Sequence, residues 1–327
     1  MDTEPGNIVQ VGSNAMATRF EIVLRGQQDS SYLRAAGEEA LAEIARIEKL
    51  LSAYRSDSDL FHLNLSAGNA PARISAELFR FLSHAKRLSD ETDGAFDLSV
   101  GPLMRCWGFV GNTGAMPSEE EIETALHSVG SDLIIMEEAN QTVQFSRSGA
   151  LLDPGAIGKG YALERASDIL RELDIDSALM HGGTSSVYGL GHPPESAGGW
   201  PISLLWPIPE ERVIVNLHDL ALSVSAPHGK WFEAAGRQYG HVIHPRSGRP
   251  TGSALLSAVV CVSATESDAL STALLVLGSP GIALLRSIRP SCSALILEAG
   301  EPPKLSITGD AFHITNRAPD SIQPEVS

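Results

Sequence analysis

The stretch Leu151-Leu152-Asp153-Pro154-Gly155-Ala156-Ile157-Gly158-Lys159-Gly160-Tyr161-Ala162 sets three glycines and a lysine between an apolar segment and a run at helical spacing, Leu163, Ala166, Ile169 and Leu170. The pattern predicts a strand, a Gly-rich turn and a helix start, which together aim backbone N–H groups and a helix dipole at one point. An anion suits that point, most often a phosphate. The spacing matches neither the Walker A loop nor the full G-x-G-x-x-G fingerprint. A plain tight turn is the competing reading, because glycine is the default residue where the chain turns sharply.

An anionic ligand would have to be held locally, since 24 basic against 40 acidic side chains leave a net charge of -16. That balance argues against nucleic-acid and anionic-membrane surfaces and leaves backbone dipoles or a divalent cation to do the binding. A hydrophobic content of 43% with 20% charged residues is that of a soluble globular protein. No apolar run approaches the roughly 18 residues that span a bilayer, so no transmembrane segment is expected. The start, Met1-Asp2-Thr3-Glu4-Pro5, carries neither a basic n-region nor an apolar h-region. The expectation is a cytoplasmic chain as given, or an exported one if a leader has been removed. Cys106, Cys261 and Cys292 are widely spaced, and they form neither a metal-ligand pattern nor an evident disulfide framework.

Alternation from Met16 to Leu24 predicts a strand, and Leu33, Ala36, Ala40, Ile44, Ile47 and Leu51 predict a helix. A second helix is expected after Ser75, stopping at Asp93-Gly94, and a third at Pro117-Ser118-Glu119-Glu120-Glu121, whose spacing is that of a capping box. A hairpin over Leu133–Met136 and Thr142–Phe145 follows, then short strands that include Ser177–Met180, Trp200–Trp206, Arg212–Leu217, Ala221–Val224, His241–Ile243 and Ser257–Val262. A helix from about Asp268 to Leu277 and a strand pair at Ala294–Glu298 and Leu305–Thr308 complete the set. Hairpins mixed with helices predict an α+β fold of mixed or antiparallel sheets rather than a doubly wound one. A single domain is expected over 1–317, with a Pro- and Glu-bearing disordered tail at 318–327.

Asp268 and Thr272 stand four apart in a helical pattern, so a carboxylate and a hydroxyl share one face. With a loop carbonyl they would suit Mg²⁺. The alternative is a cap, because Thr265 followed by Asp268 also reads as a capping box. Gly94-Ala95-Phe96-Asp97 is either the wall of a planar-ring pocket or a helix stop with a core Phe. Tyr54 is either a stacking platform or a helix-end anchor. His181-Gly182-Gly183-Thr184 is a second Gly-rich turn, with a surface turn as its plain reading. His241 and His244 flank a Pro turn, where His241 is a candidate acid/base or simply a polar rim residue.

Seven blocks occur in a fixed order along nearly the whole chain. They are Met16-Ala17-Thr18, Leu51-Ser52-Ala53-Tyr54 with Ser58 to Asn64, Gly94-Ala95-Phe96-Asp97 with Val100-Gly101-Pro102-Leu103, Asp153 to Tyr161, His181-Gly182-Gly183, His241 to Gly248, and Asp268-Ala269-Leu270-Ser271-Thr272. The series resembles the ApbE family of FAD:protein FMN transferases, whose fold is T-fold-like. The resemblance implies Mg²⁺-dependent transfer of the FMN half of FAD onto a Ser or Thr of a target protein, with release of AMP. It implies FAD contacts at Met16, Tyr54, Ala95, Phe96, Asp97, Gly155, Lys159 and Val242. It implies metal ligation by Asp268, Thr272 and the carbonyl of Gly158, and catalysis by His241 as base with Asp268 as an alternative.

Three blocks depart from the family pattern. Met180-His181-Gly182-Gly183-Thr184 lacks the Asn and the acid of Asn-x-Gly-Gly-Asp/Glu, His244 replaces the Asp of His-Ile-Ile-Asp-Pro, and Ala226 replaces a glycine suited to positive φ. Most members are exported lipoproteins, and this chain shows no lipobox cysteine. Two other activities are kept open: an FAD pyrophosphatase giving FMN and AMP, and a non-catalytic FAD-binding carrier.

Overall fold

Val9, Val11, Phe20, Ile22 and Leu24 are buried at alternate positions, and this period of two lays down the first hairpin. In the computed structural model, which describes residues 6–111, 113–194, 196, 198–227 and 229–316, β1 (Asn7–Ala15) and β2 (Thr18–Gly26) pair antiparallel. Met16 and Ala17 form the two-residue turn between them, both with positive φ (51° and 58°). The expected strand opening at Met16 is therefore a turn followed by a strand, and β1 was not foreseen. The expected tail at 318–327 lies outside the described residues.

The first half continues with α1 (Ser30–Leu51), α2 (Asp59–Ser66), β3 (Ala72–Arg73), α3 (Ala76–Glu91), α4 (Gly101–Cys106), α5 (Glu119–Leu126), β4 (Ile134–Glu137), β5 (Thr142–Phe145) and α6 (Gly158–Glu172). The second half runs through β6 (Ala178–Gly182), β7 (Ser186–Leu190), β8 (Trp200–Ser203), β9 (Glu211–Leu217), β10 (Leu220–Ser225), β11 (Trp231–Ala234), β12 (Arg237–Gly240) and β13 (Ala254–Cys261). It ends with α7 (Ala264–Leu277), α8 (Pro280–Ile288), β14 (Ser293–Glu298), β15 (Lys304–Thr308) and β16 (Phe312–Asn316). Local chemistry explains several of these boundaries. Ser75 caps α3 by accepting from the Leu78 N–H, and Ser118 with Glu121 forms the expected reciprocal capping box of α5.

Eight strands form one antiparallel sheet in the order β1-β2-β6-β7-β10-β13-β14-β15. Alternation again assigns the faces. Val259 and Cys261 of β13 join α7 and α8 in one core, while Leu256, Ala258 and Val260 face a three-stranded sheet, β16-β9-β8, on the other side. Helices α1, α6 and α7 pack side by side over the first face. Helix α7 is buried on nearly every side, as a helix apolar all round must be. The α+β architecture of antiparallel sheets expected from the sequence is the one observed.

Four expectations are corrected. The apolar segment before the Gly-rich turn is not a strand; Leu152 is instead bonded in both directions to the Asn64 side chain (2.9 and 3.0 Å). That side chain satisfies backbone groups a ladder would otherwise take. No strand forms at His241–Ile243, where only an isolated bridge links Ile243 to Pro250, because Pro245 and Pro250 lack the donors needed to extend a ladder. Helix α7 begins at Ala264, earlier than expected, so Asp268 sits inside it rather than at its cap. Cys261 and Cys292 are joined by a disulfide. Their sequence separation of 31 hides the pairing, but the register Val260↔Ser293 between β13 and β14 sets them opposite one another.

Candidate active site

Asp268 is 4% exposed, on the second turn of α7 where that helix crosses the start of α6. Its Oδ2 accepts the Gly160 N–H at 2.9 Å, and its Oδ1 accepts the Ser186 hydroxyl at 3.2 Å. The Lys159 ammonium stands 4.0 Å from Oδ2. The N-terminus of α6, expected to offer its N–H groups to an anion, thus already holds one carboxylate of the protein itself. The capping-box reading of Thr265 and Asp268 fails, because Ser263 caps α7 by accepting from the Glu266 N–H. Glu164 assists that cap by accepting from both Ser263 Oγ and the Thr265 N–H (2.7 and 2.9 Å).

One turn beyond Asp268, the Thr272 hydroxyl lies 3.1 Å from Ser225 Oγ, which in turn lies 2.8 Å from Ser271 Oγ. Ser225 closes β10, so the end of a strand brings hydroxyls to the helix face. Gly158 is the first residue of α6, its N–H bonded to the Pro154 carbonyl at 2.8 Å. Among the described residues no group of three or more His, Cys, Asp or Glu stands together to hold a metal. The oxygen donors at this point are the Asp268 carboxylate and the Ser186 hydroxyl, with the Thr272 hydroxyl one turn along the helix. Each Asp268 oxygen accepts one bond and keeps a further lone pair. That all-oxygen set fits a hard cation such as Mg²⁺ and not Zn²⁺.

Tyr54 follows the end of α1, with its N–H and that of Arg55 accepted by Ser52 Oγ (3.3 and 3.2 Å). The residue is 54% exposed, yet its hydroxyl donates to Asp153 Oδ2. Burial of the hydroxyl end and the Asp153 charge raise the Tyr54 pKa far above that of a free phenol. Asp153 is buried; its Oδ1 accepts the Gly155 N–H (2.8 Å) and its own N–H donates to the Leu98 carbonyl (2.7 Å).

Ala95 and Phe96 lie in the main core, and Asp97 accepts from Ser99 N, Ser99 Oγ and Ser131 N (2.8, 2.7 and 3.0 Å). Burial raises the Asp97 pKa. This segment reaches the site through its neighbour Leu98 and by its backbone rather than by an open face. Met16 donates its N–H to Glu48 Oε1 (2.6 Å), and Glu48 pairs with Arg55 (3.3 Å), which ties the first turn to the Tyr54 loop.

His241 follows β12, its N–H bonded to the Lys230 carbonyl (3.0 Å) and its Nδ1 3.1 Å from that same oxygen. Nδ1 also lies 3.2 Å from the Lys230 backbone N, so the tautomer donating from Nδ1 to the carbonyl leaves Nε2 an acceptor, while the tautomer accepting that N–H carries its proton on Nε2. Burial lowers the His241 pKa, the hydrogen bond to the Lys230 backbone opposes it, the positive charges of Lys230 and Lys159 lower it further, and the Asp153 charge raises it. The ring therefore senses both Lys159 and Asp153. Val242 beside it packs against two core clusters, and its carbonyl accepts the Thr251 N–H (2.8 Å).

The departures find local explanations. His244 Nδ1 accepts the Arg246 N–H (3.1 Å), the same i to i+2 turn bond that an Asp carboxylate makes. Burial lowers the His244 pKa, which favours the neutral ring this bond requires. Ala226 does not have a positive φ, so no glycine is needed there. His181 faces Glu21 across β6 and β2, with Nε2 3.2 Å from Glu21 Oε2, and Thr184 is exposed in the following turn.

The structure thus gathers Lys159, Gly160, Asp268 and Thr272 in one place, joins Tyr54 to Gly155 through Asp153, and sets His241 within electrostatic reach of both. Sequence reasoning did not assign roles to Asp153, Gly160, Ser186 or Ser225. Only the Asp-Pro-Gly turn offered a signal, and it pointed to a local bond rather than to Tyr54.

A model of the ApbE family matches residues 16–296. The chain is 31% identical, over 76% of its length and 79% of the relative's, to a protein named FAD:protein FMN transferase from Klebsiella pneumoniae (strain 342). It is 29% identical, over 71% of its length and 68% of the relative's, to a protein of the same name from Escherichia coli (strain K12). Its fold is similar to that of the ApbE protein of Thermotoga maritima, with a TM-score of 0.83, 27% identity and coverage of 92% and 96% of the two chains. The apo flavinyl transferase ApbE of Pseudomonas stutzeri gives a TM-score of 0.80, 27% identity and coverage of 97% and 96%. With the Asp268, Tyr54 and His241 blocks all inside the matched residues, the chain belongs to the ApbE family.

Proposed function

We propose that the protein is an FAD:protein FMN transferase that moves the FMN moiety of FAD onto a Ser or Thr hydroxyl of a target protein and releases AMP. The observation that carries this reading is the placement of Asp268. Its buried carboxylate faces the N-terminus of α6 and Lys159, with the Thr272 hydroxyl one turn away. The names of the relatives above support flavin as the transferred group.

Asp268, Thr272 and the Gly158 carbonyl would hold Mg²⁺, which when bound supplies positive charge to the FAD pyrophosphate. Lys159 adds a second cation on the same side, so a chain of net charge -16 gains a local site for a dianion. Tyr54 offers its open ring face to the isoalloxazine. His241 Nε2 takes the proton of the acceptor hydroxyl as that oxygen attacks the FMN phosphorus. The new P–O bond forms as the bond to the AMP phosphate oxygen breaks, and that oxygen leaves with the electron pair. The Cys261–Cys292 disulfide supports an oxidising compartment, and hence the exported alternative over the cytoplasmic one.

The test is to incubate the purified protein with FAD and Mg²⁺ and an acceptor bearing a Ser/Thr flavinylation motif, then to separate the products. AMP together with flavin covalently held by the acceptor is the expected result. AMP with free FMN and an unmodified acceptor would replace the transferase by a pyrophosphatase. FAD held without AMP would make the protein a carrier.

A further inference from the structure

The β11–β12 hairpin stands beside His241, and the reaction above leaves it without a task. Alternation divides its two faces. Phe232 and Tyr239 stack with ring centroids 5.5 Å apart, and they pack on Phe109 and Trp107 respectively, each pair also at 5.5 Å. Phe109 in turn meets the His241 ring edge-on at 6.5 Å. The inner face is thus anchored to the cluster around Leu103 of α4 and Ile122 of α5. Trp231 and Glu233 point the other way, and Trp231 is 50% exposed. Among the described residues β11 and β12 pair only with each other, so both outer edges keep main-chain donors and acceptors open to another strand.

A purely structural role accounts for the inner face and not for the outer one. Trp231 belongs to none of the core clusters among the described residues, and an open tryptophan is the side chain that most often anchors a protein partner. Its place singles it out among the exposed apolar residues. The preceding residue, Lys230, offers both of its backbone groups to the His241 ring, with Nδ1 3.2 Å from its N and 3.1 Å from its carbonyl oxygen. Across the hairpin, Trp231 is in register with Gly240, and His241 follows directly. An acceptor hydroxyl that gives its proton to His241 must therefore arrive next to this hairpin. Charge points to the same visitor. In a chain of net charge -16, the exposed Lys230 and Arg237 pair with no acid among the described residues, and Arg237 lies only over the Tyr239 ring, at 5.7 Å. A segment with acidic residues beside its Ser or Thr complements them.

We infer that the β11–β12 hairpin is the docking surface for the acceptor protein. An extended, acidic segment carrying the reactive Ser or Thr adds along an open edge of the hairpin and packs on Trp231, which brings its hydroxyl to His241. This rests on the transferase reading above and deepens it, assigning recognition of the protein substrate to residues apart from those that would hold FAD and Mg²⁺.

The experiment is steady-state transfer of flavin to the motif-bearing acceptor of the assay above, by wild-type protein, Trp231→Ala and Arg237→Gln. FAD affinity by calorimetry and thermal unfolding are measured for each. Trp231→Ala should raise KM for the acceptor by at least about tenfold, the loss expected of an interface anchor. Its kcat and FAD affinity should stay within about twofold of wild type, the split that marks lost acceptor binding rather than lost chemistry. Arg237→Gln should raise the acceptor KM by about threefold and flatten its rise with added salt, because a rim charge acts through a screened attraction. An unchanged acceptor KM in Trp231→Ala would overturn the inference, and so would a loss of FAD affinity that matches the rise in KM. Should Trp231→Ala fail to fold, the salt profile of Arg237→Gln decides alone, and a slope equal to that of wild type would place the acceptor elsewhere. Failure of the transferase reading looks different: wild-type protein would then leave the acceptor unmodified, and the docking surface would fall with it.

Discussion

The Gly160 N–H lies 2.9 Å from Asp268 Oδ2, and nothing larger than hydrogen fits on that Gly160 Cα. A methyl group there would stand 2.1 Å from the Ala264 carbonyl oxygen and 2.7 Å from Asp268 Cβ. In an ordinary helix, Gly→Ala is stabilising by up to about 1 kcal/mol. Here the sign reverses. Gly160→Ala should push α6 from α7, destabilise the protein by about 1–3 kcal/mol, and take activity with it. Thermal unfolding alongside AMP release checks this, and a more stable, active variant would refute the close approach.

Asp268 and Ser263 separate the site from the cap. Ser263→Ala should lower stability by about 0.5–2 kcal/mol while the residual folded protein keeps its turnover. Asp268→Asn, nearly isosteric, should keep most of the stability and abolish turnover at any Mg²⁺ concentration. Unchanged turnover in Asp268→Asn would remove the carboxylate from the reaction.

The base assignment carries a pH signature. Burial above all, helped by the charges of Lys230 and Lys159, outweighs the hydrogen bond to the Lys230 backbone and holds the His241 pKa below its ordinary value, which is about 6.5. The ring is therefore neutral at pH 7 and above and is protonated only as pH falls below that value. The rate of transfer should be flat near neutrality and fall on the acid side, with a midpoint below about 6.5. His241→Ala should erase that limb and slow transfer by about 10²–10⁴-fold, with FAD affinity kept. An acid limb that persists in His241→Ala would assign it to another group.

The Cys261–Cys292 disulfide closes a loop that contains all of α7, and with it Asp268 and Thr272. Cross-linking residues 31 apart should stabilise the fold, by about 3–4 kcal/mol on the chain-entropy account. Reduction, or Cys261→Ser with Cys292→Ser, should lower the denaturant midpoint accordingly. An unchanged midpoint would show that the pair adds nothing to stability.

Much of the architecture was legible because it rests on short-range chemistry. The α5 capping box, the β4–β5 hairpin, the α3 cap at Ser75 and the β14–β15 pair all follow from residues within a few positions of one another. The errors have physical causes of the same kind. The Leu151–Pro154 segment is apolar like a strand but satisfies its backbone through Asn64, a partner 88 residues away. His241–Ile243 alternates like a strand but is flanked by prolines. Asp268 looks like a cap residue because a local pattern of Thr and Asp cannot show that Ser263 and Glu164 already perform the task.

Along the chain, periodicity and turn chemistry dictated the α+β class, and the order of the motif blocks singled out Asp268, Thr272, Tyr54 and His241. Which of these would meet was decided by strand register and helix packing. The disulfide exists because β13 and β14 align Val260 with Ser293. The Asp268 site exists because a glycine lets α6 approach α7. The Tyr54–Asp153 bond exists because α1 and the Gly-rich turn end at the same place. Such contacts join residues 31, 108 and 99 positions apart, and their energies depend on distances of a few ångströms that local sequence patterns do not encode.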